Sequence, residues 1–327
     1  MEARKVQITG KSTYMITLPK KWAVDVGLQP GSLISITYRD NGSLLLTPPS
    51  NKPFVSRKIL QLDSLNAELR KELIGAYVMG HQFIELHGEK IPLEARSEVK
   101  AVCKRLIGTE IVEETEKKIV IYDILNPGEY TLEKGLKRMF ALVSSMLKSL
   151  IDVFHTQGDQ AMLTDIASQE EEVDRVFLLI VKLFTKRLKE GWISKEDQLD
   201  LVEAFHYRLA AEHLERIADH TVKIARKLTS FDFEALPPEI ASRFAEVGKD
   251  SLERVERSVN SLRRKNVEQA NAILNEHEKV KERIAEINRL TITTAYALPL
   301  DIVIDSMRRI GDYASNIAEL AIDLSQL

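Results

Sequence analysis

The sequence has one cysteine, Cys103, in 327 residues. That excludes an intrachain disulfide and a zinc site built from cysteines. No apolar run approaches the ~18 residues of a membrane span. The opening MEARKVQITG also lacks the apolar stretch of a signal peptide. These absences predict a cytoplasmic chain without membrane insertion. Catalytic signatures are missing as well: there is no Gly-rich loop of the Walker type and no Ser-His-Asp or Cys-His arrangement. A di-metal carboxylate oxidase needs two Glu-x-x-His pairs facing a helical core. Only one such spacing occurs, Glu203 to His206. The chain reads as a non-enzyme.

What is present fits a globular protein, with 44% hydrophobic and 29% charged residues and length for two or three domains. The net charge of −3 is unevenly spread. Residues 1–50 hold six bases (Arg4, Lys5, Lys11, Lys20, Lys21, Arg39) and three acids (Glu2, Asp25, Asp40), a local +3 that leaves −6 for the rest. A basic head on an acidic body suggests two different partners.

Three breaks divide the chain: TPPSNKP from Thr47, NPGEYT from Asn126 and FDFEALPPE from Phe231. Before the first, RKVQITG and STYMITLPK alternate around Gly10, and LISITYR and SLLLTP flank the hairpin signal Asp40-Asn41-Gly42. This piece is too small to bury a core alone and is expected to obtain one by dimerising. Between the first two breaks, strand-like and helix-like segments alternate, predicting a small α/β domain. From about Leu132 six helices are predicted, near 132–156, 159–190, 196–229, 238–264, 266–294 and 299–326. The expected organisation is a multidomain, mainly α chain: a β-rich head at 1–50, the α/β domain at 53–127, and three-helix bundles at 132–231 and 238–327.

The second half of the helical region repeats the first. EHLERIADHTVKIA from Glu212 matches DSMRRIGDYASNIA from Asp305, and GDQAMLTDIASQEEEVDRV from Gly158 matches NVEQANAILNEHEKVKERI from Asn266. On a helical wheel, Glu212, Glu215 and Asp219 gather opposite the apolar Leu214, Ile217, Ile224 and Leu228. In the second copy Asp301, Asp305 and Asp312 do the same. The preceding helix of each copy adds an i, i+4 pair, Glu170 with Asp174 and Glu278 with Glu282. A wet face accounts for scattered charge, but like charges at this spacing repel. Carboxylates converging from neighbouring helices are how hard or borderline cations are held. Arg208 and Arg308 intrude once in each stripe, where they either close ion pairs or sit beside a metal and receive an anion. His206, His213 and His220, at seven-residue spacing, read mostly as surface or packing residues.

The duplicated LERIAD and RRIGDYASNIAE segments, each following an acidic pair one helix earlier, resemble the PhoU family of phosphate-uptake regulators over about Leu132 to Leu327. The resemblance implies two three-helix bundles and metal clusters on their surfaces, with iron, zinc, manganese or magnesium as candidate ions. The family's acidic motif transfers to Glu215–Asp219, Glu170–Asp174 and Glu278–Glu282. At Arg308–Asp312 its first residue is basic. The segment VQITGKSTYMITLPKKWAVDVGLQPGSLISI resembles a SpoVT/AbrB-type swapped-hairpin domain, which implies an interlocked homodimer. It also implies DNA contacts from Arg4, Lys5, Lys11, Lys20 and Lys21. The combination resembles the archaeal form of PhoU. The implied function is a transcriptional regulator of phosphate uptake. The alternative is an adaptor that dimerises through its head and contacts a phosphate ABC transporter subunit or a signalling kinase without binding DNA.

Overall fold

A computed structural model describes residues 2–10, 12–38, 42–48, 56–62, 68–125, 130–190, 199–292, 294 and 296–327. Lys11 and the Asp40-Asn41 part of the expected hairpin turn lie outside the described residues. The chain forms two compact units, Met1–Ser56 and Arg57–Leu327.

In the first unit, β1 (Gln7–Thr9) pairs antiparallel with β2 (Thr13–Met15), closing on Gly10 at φ +69°. Only glycine adopts that left-handed conformation without cost. Helix α1 (Lys20–Asp25) follows Pro19, and β3 (Ser35–Tyr38) pairs antiparallel with β4 (Leu44–Thr47). Not one described residue of this unit is buried. Ile8, Tyr14, Leu33, Ile36 and Tyr38 are all exposed, Leu33 and Tyr38 by more than four-fifths (86% and 83%).

The second unit begins with a four-stranded sheet in the order β5-β6-β8-β7. Strands β5 (Arg57–Gln61) and β6 (Phe83–His87) are parallel and joined through α2 (Leu69–Val78), the crossover that parallel pairing requires. After α3 (Leu93–Arg105), the hairpin of β7 (Thr109–Glu114) and β8 (Lys118–Asp123) completes the sheet antiparallel. Leu60, Leu73, Leu86, Val99, Ile119 and Ile121 form part of its own core.

Six long helices follow: α4 (Leu132–His155), α5 (Gln160–Glu190), α6 (Leu201–Leu228), α7 (Pro238–Arg264), α8 (Val267–Thr291) and α9 (Ala297–Leu324). Their starts are written in local chemistry. The Thr131 hydroxyl accepts from the Lys134 N–H, Asn266 accepts from Gln269, and Pro238 opens α7. Asp200 and Glu203 form a reciprocal capping box on α6. That box resolves the one Glu-x-x-His spacing. Glu203 accepts from the Asp200 N–H and pairs with Lys265 at 2.6 Å, while Nδ1 of His206 faces the Val202 carbonyl at 2.8 Å. Neither residue points into a shared core site.

The two sets of three helices share one hydrophobic core, with α6 packed on α9 and α4 on α7. Gly248 permits the second of these contacts: a Cβ there would come within 2.9 Å of Ile151. His213 and His220 lie at the α6–α9 contact, their rings 6.0 and 5.8 Å from Tyr313. Tyr313 stands where the first copy has His220, so the contact is formed by matching faces of the repeat. The sheet domain packs α2 and α3 against α5.

Candidate functional site

Four carboxylates come together electrostatically on the first set of helices. Glu170 and Asp174 project from α5, and Glu215 and Asp219 from α6. Glu170 pairs with Arg226 on α6. Asp174 accepts from Arg105 of the sheet domain at 2.9 Å, and the same guanidinium lies 3.8 Å from Glu171. Glu212 is held between Arg208 and Arg216 on its own helix. Glu215 and Asp219 make no ion pair among the described residues.

The consequence is a shift toward the neutral form. Burial, then repulsion from Asp219 and Asp174, pushes the Glu215 carboxyl up to about 7. Asp219 is raised by burial and by Asp174 and Glu170. Asp174 is raised by burial and by Glu170, against the lowering influence of Arg105. Three arginines act on these four acids: Arg105 and Arg226 pair with Asp174 and Glu170, and Arg216 attracts Glu215 and Asp219 without an ion pair.

The equivalent residues of the second set are arranged differently. Arg308 donates to Asp305 at 2.7 Å and to Asp312 at 3.1 Å, and Asp312 also receives His277 at 3.2 Å. Glu278 is exposed and bonded to Lys281 at 2.9 Å, while Glu282 and Asp301 are exposed. Hydrogen bonding from Arg308 lowers the Asp305 carboxyl, and Lys281 does the same for Glu278. These five predicted residues are therefore not brought into one acidic group.

As a test of metal holding, the first cluster has the right donors: carboxylate oxygens in excess of cations. Its side chains are not gathered at ligation spacing, however. Among the described residues, no three His, Cys, Asp or Glu side chains are close enough to share an ion. The second set has the wrong balance, with Arg308, Lys281 and a buried Arg254 among its acids. Sequence reasoning missed Arg105, which is 69 residues from its partner Asp174. Arg226 carried a signal, since it lies seven residues after Asp219 on the same helical stripe.

In the first unit, Lys20 and Lys21 are exposed in the first turn of α1, Lys5 is exposed, and Arg4 is paired with Glu2.

Matching three-helix sets around one core define a duplicated helical-bundle protein. The PhoU domain model matches residues 136–228 and 244–321, more than half of the chain, and the chain belongs to the PhoU family. Residues 7–54 match the family described as antidote-toxin recognition MazE, bacterial antitoxin, an AbrB-like head. The fold resembles the crystal structure of PhoU from Pseudomonas aeruginosa, with 20% identity and TM-score 0.54 over 60% of this chain and 95% of that one. It also resembles the phosphate transport system regulatory protein PhoU from Streptococcus pneumoniae, with 19% identity and TM-score 0.50 over 59% and 92%. No curated protein matches the chain. Family membership makes this a regulatory protein and not an enzyme. Among the described residues, no helix is long and apolar enough to cross a membrane.

Proposed function

We propose that this chain is a cytoplasmic transcriptional regulator of phosphate uptake, homodimeric through its head and bound to DNA by that paired head. The observation that carries this reading is the burial record of Met1–Ser56. A folded piece with β-hairpins and a helix has no buried described residue and exposes Ile8, Tyr14, Leu33, Ile36 and Tyr38. Apolar surface of that kind is stabilised by a second copy. Pairing two heads doubles the local positive charge, and Arg4, Lys5, Lys11, Lys20 and Lys21 then supply phosphate contacts whose affinity comes from counterion release.

The body senses phosphate status. Glu170, Asp174, Glu215 and Asp219 are the residues that would hold a divalent or trivalent cation in the first bundle, after side-chain movement to ligation spacing. Such an ion would supply the positive charge that offsets their mutual repulsion. The second bundle offers Glu278, Glu282, Asp301, Asp305 and Asp312 only after Arg308 and Lys281 release their partners.

An adaptor reading has its own support in the PhoU match over the helical body and in the description of the Streptococcus pneumoniae neighbour as a phosphate transport system regulatory protein. In that reading the head only dimerises, and a phosphate ABC transporter subunit is the partner. Light scattering combined with a mobility-shift series on upstream DNA separates the two. A dimer that shifts DNA at low salt supports the regulator. A dimer that shifts no DNA at low salt, with or without phosphate, leaves the adaptor. A monomer overturns both.

A further inference from the structure

In the second bundle a buried guanidinium makes no ion pair with a carboxylate among the described residues; Glu276, Asp312 and Asp250 attract it only from beyond ion-pair distance. Arg254 on α7 is 3% exposed. Its Nη2 donates to Ser315 Oγ at 2.7 Å and to His277 Nδ1 at 3.0 Å. A guanidinium only donates, so His277 Nδ1 accepts and the ring carries its proton on Nε2, where it donates to Asp312 Oδ1 at 3.2 Å. The Nε and Nη1 groups of Arg254 are buried with no acceptor among the described residues. Gly311 helps to seat the head group, since a Cβ there would stand 3.4 Å from Nη1. Arginine stays protonated at any ordinary pH, and a buried charge without a counterion is strongly unfavourable.

The surrounding acids are committed elsewhere. Glu276 is held by Arg257 at 2.6 Å, Asp250 by Arg283, and Asp312 by Arg308 and His277. Arg254 also lines a cavity of about 150 Å³ between α7 and α8, together with Arg257, Lys279 and Arg283. Lys279 is exposed and makes no ion pair among the described residues. One groove is thus lined by a buried arginine, a lysine that makes no ion pair among the described residues, and two further arginines. The four bases face three acids, Asp250, Glu253 and Glu276.

We infer that the α7–α8 groove binds a small oxyanion of the phosphate class, with Arg254 as the buried anchor and Lys279 as the exposed contact. The guanidinium fork matches a tetrahedral oxyanion, and a low-dielectric setting strengthens each charge-assisted bond. The site is separate from the carboxylates of the first bundle and does not depend on a metal there.

The test is thermal unfolding of the full chain in chelator-containing buffer, titrated with sodium phosphate against sodium chloride at equal ionic strength. The chelator removes phosphate binding through adventitious metal. The parent should show a saturable rise in Tm with phosphate. Arg254→Met should raise Tm in phosphate-free buffer, because an apolar side chain replaces an unpaired buried charge, and should abolish the phosphate response. Lys279→Ala, a surface change, should keep the fold and weaken the apparent Kd by about tenfold. A sulfate arm distinguishes a general tetrahedral-anion site from one selective for phosphate. The inference is overturned if the parent gives no saturable response, or if Arg254→Met responds like the parent. In either case buried water alone satisfies the guanidinium.

Discussion

Glu215 and Arg308 occupy equivalent positions on α6 and α9 and carry opposite charge. Around Glu215, burial and neighbouring acids push carboxyls upward. Around Arg308, two aspartates bond to one guanidinium, and the Asp305 carboxyl is lowered. The sign change at this position accompanies the contrast between a cluster of mutually repelling acids and one in which an arginine pairs with two aspartates. The duplicated fold keeps the same helices and the same apolar faces in both halves. In the first half, burial and mutual repulsion raise the carboxyls of Asp174, Glu215 and Asp219.

The Glu215 carboxyl gives this shift a pH signature. Folded, it holds its proton up to about pH 7; unfolded, it releases it near 4.5. Between those values the folded state binds more protons, so its stability contribution is complete below the lower value and is lost as pH rises through the upper one. Glu215→Gln mimics the protonated form. The substitution should be nearly neutral at pH 4 and should raise Tm by about 2 °C or more at pH 8. Calorimetry at the two pH values checks this. An equal effect at both would mean that Glu215 titrates normally.

Arg308→Glu would rebuild in the second half the charge pattern of the first. It removes bonds to Asp305 and Asp312 and adds a third acid between them. Partly exposed pairs of this kind contribute roughly 0.2–1 kcal/mol each, so in chelator the variant should lose about 1–2 kcal/mol in urea denaturation. Millimolar Mg²⁺ or Mn²⁺ should restore part of that loss in the variant. Failure of either ion to stabilise the variant more than the parent would count against carboxylate-based cation binding on this face.

Much of the architecture was legible because its signals are local. Alternation around Gly10, the 3–4 spacing of apolar residues and the prolines at the breaks each act within a few residues. The acidic residues were legible for the same reason, since i, i+4 spacing and duplication are visible along the chain. Their neutralisation was not. Arg105 reaches Asp174 across 69 positions, and Arg254 reaches Ser315 across 61. Such pairings arise from packing, for which no periodicity exists. His213 and His220 read as surface or packing residues, and they pack on Tyr313, a partner that the sequence did not name because the shared α6–α9 core is a property of the two halves together. Lys182, on the helix that receives the sheet domain, is another residue whose role only packing reveals.

That lysine is 1% exposed and lies 2.7 Å from the buried Asp123 at the end of β8, with its ammonium 4.4 Å from the centre of the Tyr77 ring. The pair joins the sheet domain to α5. Asp123→Ala strands a buried ammonium and should cost about 3–5 kcal/mol at pH 6. Burial already lowers the Lys182 pKa to about 8, and loss of the carboxylate lowers it further. The cost should therefore shrink as pH rises toward 8 and level off above it, where the lysine is neutral in parent and variant alike. Combining Asp123→Leu with Lys182→Met should recover most of the loss. Urea denaturation at pH 6 and pH 9 measures both effects, and a cost that does not change with pH would remove the ion pair as its cause.

The head supplies the sharpest discrimination between a DNA-binding regulator and an adaptor. Lys20 and Lys21 are exposed at the start of α1, with no acidic residue in that first turn. If they contact DNA phosphates, each accounts for one released counterion per protomer, and log K falls against log salt with a slope of about 0.9 per contact. Lys20→Ala/Lys21→Ala changes two contacts on each of two protomers. The slope should therefore flatten by roughly 3–4, with similar weakening on any sequence, because phosphate contacts position the protein without reading bases. Light scattering should still report a dimer, since neither lysine is among the exposed apolar side chains, such as Ile8, Ile36 and Tyr38. An unchanged salt slope with an intact dimer would assign the head to assembly alone.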